Sequence, residues 1–222
     1  MTNRRTLVGE PAYQVKTKRV FRQTRASNTA RRIIDCATQL LNADMPLSNE
    51  AVAEAASVSI SSIYRYFHNR SDLFAEIYRL DAQETIEKIE QEIVRLTQDN
   101  PRDVVARVIA IAAEAVSSNP GRQRAIYGSI DYEVANSVNT QFNRRLQERL
   151  IEQIAVVVNC HPRFVDASLV AILGRLLVSC VPQIIVLEST DAVDAGRVYS
   201  ELCAMAGDTL AQIMERAMAM RA

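Results

Sequence analysis

The sequence predicts an all-α fold, with an N-terminal three-helix domain built around a helix-turn-helix and a larger helical domain after it. Three observations carry this. Residues 48–67 hold two short helical patterns separated by a tight break. Residues 70–222 show helical spacing of apolar residues almost throughout, with next to no alternating strand signal. A hydrophobic content of 48% in 222 residues is enough for a real core in one or two compact domains.

Residues 1–24 lack apolar periodicity. Lys16, Lys18, Arg19, Arg22 and Arg25 follow Glu10, and no acid intervenes before Asp35. This segment is expected to be a disordered basic arm. Such an arm either follows a phosphate backbone or minor groove through residues such as Arg22 and Arg25, or only solubilises the terminus. Residues 25–72 form the next unit. Ser48 suits an N-cap, and Glu50 suits the positive end of the helix it opens. Val52, Ala53 and Ala56 make a narrow apolar stripe, with Ala53 small where a second helix crosses. Ser57 and Val58 break the pattern. Ser59 then caps a second helix running to about residue 67, with Ile63 and Phe67 inward at i, i+4. Ile60, Ser61, Ser62, Tyr64, Arg65 and Tyr66 are left on or beside its outer face. Small hydroxyls and an arginine there fit close approach to phosphates and base edges in a DNA major groove.

Charge is divided unevenly. Residues 1–80 hold 12 Lys/Arg and 7 Asp/Glu, a net +5; residues 81–222 hold 14 and 19, a net −5. A basic head joined to an acidic body suits a DNA-contacting unit fused to one that avoids DNA.

The second domain, residues 73–222, is expected to contain helices at about 72–98, 101–118, 122–158 (with an interruption near Gly128 or Asn136), 163–187 and 192–219. Asn119-Pro120-Gly121 reads as a turn, as do 159–162 and 188–191. The last two helices carry more apolar surface than one face requires: Leu169, Ile172, Leu173, Leu176, Leu177, Val181 and Ile184, then Val198, Leu202, Met205, Ala206, Leu210, Ile213 and Met214. The surplus points to a four-helix bundle formed with a second copy.

The segment from about residue 27 to 80 resembles the TetR (tetracycline-repressor) family of transcriptional regulators. The resemblance rests on Val52-Ala53, Ala56-Ser57-Val58-Ser59, Tyr64-Arg65-Tyr66-Phe67, Arg70 and Asp72-Leu73. Arg32-Ile33-Ile34-Asp35-Cys36-Ala37 with Leu40-Leu41 is similar to the family's first helix. Ser57 stands where the family usually has a turn glycine, which predicts a side chain in left-handed backbone. Arg70 replaces a usual lysine and keeps the charge.

The resemblance implies a ligand-responsive regulator, a repressor in the commoner case. It would bind a palindromic operator in double-stranded DNA as a homodimer through the last two helices, and a small-molecule effector would release it. DNA contacts are then expected from Ser48, Ser59, Ser61, Ser62, Tyr64, Arg65, Tyr66, His68 and Arg70, with Arg22 and Arg25 from the arm. Tyr127, Tyr132, Phe142 and Phe164, with Arg107 and Arg175 as anchors for an anion, are candidates for an effector pocket. A thiol switch through Cys160, Cys180 or Cys203, or a constitutive DNA-binding protein without an effector, is the alternative.

An enzyme is not expected. Only His68 and His161 are present, and Cys160 and His161, adjacent in sequence, point apart. No phosphate loop, HExxH or GxSxG occurs. Neither a metal nor a cofactor is expected. Leu7-Val8 is too short for a secretory core. Arg175 and Pro182 argue against the apolar run 165–187 crossing a membrane. Four dispersed cysteines fit a reducing compartment, so a cytoplasmic location is expected.

Overall fold

The protein is described by a computed structural model covering residues 24–177 and 195–220, with side chains from 28 to 177 and 197 to 220. Among these residues there are nine α-helices and no strand. They are α1 (Thr24–Asn42), α2 (Asn49–Ala55), α3 (Ile60–Tyr66), α4 (Arg70–Ile93), α5 (Pro101–Ser117), α6 (Pro120–Tyr127), α7 (Tyr132–Val157), α8 (Ala167–Arg175) and α9 (Ala195–Ala219). Short 3-10 turns, Val94–Thr97 and Pro162–Phe164, follow α4 and precede α8.

Each helix from α2 to α8 opens on a Ser, Asn or Asp side chain that accepts a first-turn amide. The seven are Ser48, Ser59, Asn69, Asn100, Asn119, Asp131 and Asp166. This satisfies donors that a helix start otherwise leaves free. Two sequence-based boundaries move for this reason. The fourth helix begins at Arg70 rather than residue 72, because Asn69 caps it. Asn119-Pro120-Gly121 is a cap followed by the first two helical positions, where proline is well tolerated, rather than a free turn. The interruption expected near Gly128 in the helix over 122–158 is present at Gly128–Asp131, with Asp131 capping α7.

The expected helix 163–187 is a 3-10 turn followed by α8, and its part beyond residue 177 lies outside the described residues. So do Val181, Ile184, Cys180, the turn at 188–191, Arg22 and the rest of the basic arm up to residue 23. Arg25 falls in the first turn of α1, its side chain also outside the described set.

Two apolar clusters form the core. The N-terminal one joins Ile33, Ala37 and Leu41 of α1, Val52 and Ala53 of α2, Ile63 of α3, and Leu73, Phe74, Ile77 and Tyr78 of α4 with Ile126 and Val138. The second joins Ile86, Ile89 and Ile93 of α4 to α5, α7, α8 and α9. A boundary at 72/73 therefore falls inside α4, which serves both clusters. Gly207 brings α9 against α5 closely: a Cβ there would lie 2.8 Å from Arg102 Cγ.

Between α2 and α3, Ser57 has φ 50, and the Val58 amide donates to the Ala53 carbonyl at 2.9 Å. This is a Schellman-type helix end with a non-glycine residue in the left-handed region. A side chain costs about 1 kcal/mol there. Ser57→Gly is expected to raise the melting temperature by a few degrees; a lower one in a thermal melt contradicts this turn.

Candidate nucleic-acid interface and cavity

Ile63 and Phe67 are buried at 1% and 7% exposure, so α3 is pinned to α1, α2 and α4 by one face. Tyr64, Ser61 and Arg65 lie on the opposite face, exposed, with Tyr64 at 53%. At the start of α3 the Ser59 hydroxyl takes the Ser62 amide at 3.2 Å and lies 2.8 and 2.9 Å from the Ser61 and Ser62 hydroxyls. Ser59 is thus engaged as a cap, and Ser61 and Ser62 hold that cap in place. The Arg65 guanidinium lies over the Tyr66 ring, 5.1 Å from its centroid, and donates to the Tyr66 hydroxyl at 3.4 Å. Tyr66 is half-buried against the N-terminal core, so it orients Arg65 rather than standing free.

Arg70 opens α4, exposed, with its guanidinium 5.2 Å from the Phe74 ring centroid. His68 donates its amide to Asp72 Oδ2 at 2.9 Å, and its Nδ1 lies 3.3 Å from that oxygen. Exposed Ser48 caps α2 at 3.1 Å from the Ala51 amide. Of the exposed candidates from Ser48 to the start of α4, Ser48, Ser59 and Ser61 are held by local hydrogen bonds, and Arg65 and Arg70 lie over the Tyr66 and Phe74 rings.

A cavity of about 340 Å³ lies between α4, α5, α6 and α7. Of the pocket candidates read from the sequence, Tyr127 and Phe142 line it. The others do not. Arg107 binds Glu92 Oε2 at 2.7 Å and Asp99 Oδ2 at 2.5 Å, clamping α5 to the end of α4. Tyr132, the first residue of α7, is 81% exposed. Phe164 sits in a 3-10 turn beneath the Arg163 guanidinium, and Arg175 is exposed at the end of α8.

The polar wall of the cavity was not anticipated. Tyr78 donates to Asn139 Oδ1 at 2.6 Å and meets the Tyr127 ring edge-to-face at 5.7 Å between centroids. Burial raises both phenols above the ordinary tyrosine value, Tyr78 against the opposing hydrogen bonds of Asn139 and Tyr127; for Tyr127, which is pushed well above it, the neighbouring Tyr78 adds to the rise. Gln123, 8% exposed, donates to the Ala115 carbonyl at 3.2 Å. Asp81 and Arg122 form an ion pair in the wall, 26% and 15% exposed. Asp81 Oδ2 and Arg122 Nε are buried without a hydrogen-bond partner among the described residues. Burial raises the Asp81 carboxyl above its ordinary value; the Arg122 charge opposes this without cancelling it.

The available sequence signal was a polar break in an inward stripe. Phe74, Tyr78, Asp81, Thr85 and Ile89 recur at i+3/i+4 on α4, and Asp81 and Thr85 sit where apolar residues are expected. The same ion pair also borders a groove between α1 and α4 that includes Arg31, Ile34 and Thr38. Arg122 Nη1 reaches Asn42 Oδ1 at 3.5 Å, and Asn119 Nδ2 donates to Asn42 Oδ1 at 3.2 Å. One guanidinium therefore touches the cavity, α4 and the last residue of α1.

The cysteines in the described set, Cys36, Cys160 and Cys203, are unpaired and partly buried. Burial raises the Cys203 thiol, which lowers its reactivity. Among the described residues no helix is long and apolar enough to cross a membrane.

Residues 33–77 match the family model for bacterial regulatory proteins, tetR family. No curated protein matches the chain. Solved structures are similar over most of its length. The transcriptional regulator FadR from Bacillus subtilis, in complex with stearoyl-CoA, is 16% identical with a TM-score of 0.52, over 83% of this chain and 97% of that one. The multidrug binding protein EbrR, complexed with imidazole, is 18% identical with a TM-score of 0.52, over 78% and 92%. A tetR-family transcriptional regulator from Streptomyces coelicolor is 14% identical with a TM-score of 0.54, over 87% and 89%. The matched residues run from within α1 through α2 and α3 into α4, and the chain has the fold of these solved structures.

Proposed function

We propose that the protein is a homodimeric transcriptional repressor that holds a palindromic operator until a small molecule occupies the cavity. The observation that carries the reading is the two-faced α3. Ile63 and Phe67 anchor it, and Ser61, Tyr64 and Arg65 face away from the protein. A helix so mounted enters a major groove without disturbing its own core. In this reading Tyr64 and Arg65 reach base edges, Tyr66 steers Arg65, and Ser48, Ser61, Ser62, His68 and Arg70 hold phosphates. Ser59 acts through its cap. Residues 1–24 are the basic arm, 25–72 the DNA-binding unit, and 73–222 the effector and dimer unit.

Dimerisation is supported by α8 and α9. Ile172 and Met205 are 53% and 58% exposed, beside half-buried Leu169, Leu176, Val198 and Leu202. Such a face suits a second copy in a four-helix arrangement. Two of the similar structures contain a bound small molecule, stearoyl-CoA or imidazole, which supports the cavity as an effector site.

Footprinting on the DNA flanking its own gene tests the reading. Two protected half-sites about one helical turn apart are expected; a single asymmetric patch contradicts the symmetric dimer. Arg70→Ala is expected to weaken all sequences alike and flatten the salt dependence by about one phosphate contact. Arg65→Ala is expected to relax sequence preference, losing about 1–3 kcal/mol of discrimination at one position. Equal losses on operator and random DNA for both variants reduce α3 to a phosphate clamp.

A further inference from the structure

We infer that Ile60, with Tyr64 one turn further on, seats against the C5-methyl group of a thymine in each operator half-site, which makes Ile60 a specificity-determining residue. This rests on the repressor reading above and names a base that the operator contains. Among the described side chains from 28 to 93, the large apolar or aromatic residues exposed to solvent are Met45, Ile60 and Tyr64, and two of these stand on the seven-residue α3. They are four residues apart, so they share one strip of the helix, next to Ser61 and away from Phe67 and Ile63. Ile63 is 1% exposed, whereas Ile60, the first residue of α3, is 40% exposed. Folding gains little from an isoleucine left half in water, and a β-branched residue forms helix less readily than alanine.

The chemistry of the groove supplies the reason for it. In unmodified DNA the one apolar group on the base edges of the major groove is the thymine methyl; the rest are hydrogen-bond donors and acceptors. The Ile60 side chain has no polar atom, and the hydroxyls beside it are turned on one another. Ser59 takes the Ser62 amide, and its hydroxyl lies 2.8 and 2.9 Å from those of Ser61 and Ser62. Set against the amine of a cytosine or an adenine, Ile60 displaces water and returns no hydrogen bond, which disfavours those bases. Set against thymine, it buries a methyl group without that penalty. Arg65 and Arg70 are exposed on the same part of the protein, and residues 1–80 carry a net +5. Attraction to the phosphates is thus supplied elsewhere, and the apolar strip has only to discriminate.

The full chain is used to select duplexes from a random library, and each thymine of the selected duplex is then replaced in turn by uracil, which pairs alike and lacks only the methyl. One thymine in each half-site is expected to stand out. Its loss is expected to weaken binding about fourfold in one half-site, the worth of one buried methyl, and more than about tenfold in both. Ile60→Ala is expected to bind the thymine and uracil duplexes alike, whereas Ile60→Val retains most of the difference. A thermal melt checks that each variant is folded at the assay temperature. A selected duplex that tolerates uracil at every position overturns the inference and leaves the repressor reading standing; this outcome needs no variant. So does a uracil penalty of the same size in the parent and in Ile60→Ala. Selection of no sequence at all sinks the repressor reading itself, and the inference with it.

Discussion

Phe74→Ala is expected to destabilise the protein by about 3–5 kcal/mol, the range for deleting a fully buried aromatic ring. Phe74 has 0% exposure and lies in the cluster that joins α1, α2, α3 and α4 to Ile126 and Val138. No other side chain in that cluster is both as large and as fully enclosed. For a chain of this size the loss corresponds to a fall in melting temperature on the order of 10 °C. Operator affinity is expected to suffer with it, because Ile63 and Phe67 brace α3 against the same cluster. The exposed Arg70 also loses the ring over which its guanidinium rests at 5.2 Å. Urea titration of Phe74→Ala beside Phe74→Leu checks this, the leucine recovering most of the loss by refilling the space. A cost below about 1 kcal/mol for the alanine contradicts the packing described.

The second large effect is expected from Arg122→Ala. Its guanidinium is the charge partner of Asp81, and both groups are mostly out of solvent. Removing one member of a buried pair costs about 3–5 kcal/mol; with 26% of the Asp81 side chain exposed, a smaller loss of about 2–3 kcal/mol is expected at neutral pH. The loss depends on pH in a definite direction. Burial already raises the Asp81 carboxyl in the intact protein. Without Arg122 the opposing influence disappears and the carboxyl rises further. The folded state then holds a proton that the unfolded chain, titrating near about 3.9, has released. The penalty is complete above the folded-state value and vanishes as the pH falls toward the unfolded one. The gap in stability between Arg122→Ala and the parent protein is therefore expected to narrow in urea melts as the pH is lowered from neutral toward the ordinary carboxyl range. A gap that widens on acidification shows that Asp81 is not the group left exposed by the change.

The helix-turn-helix was readable in the sequence because its determinants are local. Ser48 and Ser59 cap their own helices, Ile63 and Phe67 mark one face four residues apart, and Ser57 breaks the pattern at the turn. Each of these is visible within a short window. The cavity was not readable, because its wall is drawn from α4, α5, α6 and α7, which meet only in three dimensions. Arg107 and Arg122 illustrate the difference. Both are arginines in amphipathic helices, and nothing nearby in sequence distinguishes them. Arg107 is taken up by Glu92 and Asp99, whereas Arg122 finds Asp81, 41 residues away. Asn119 and Asp131 were missed as caps because both lie in segments read only as breaks, Asn119 in the Asn-Pro-Gly turn and Asp131 beside the interruption near Gly128.

The attachment at Asn42 has a mechanical consequence. Asn119 and Arg122 grip the final residue of α1 through long bonds of 3.2 to 3.5 Å at an exposed edge, and water replaces each of them with little change in free energy. That edge therefore adds little stiffness between the N-terminal helices and the rest of the protein, and the connection rests on the apolar contacts of Ile126 and Val138 and on α4, which runs unbroken through both clusters.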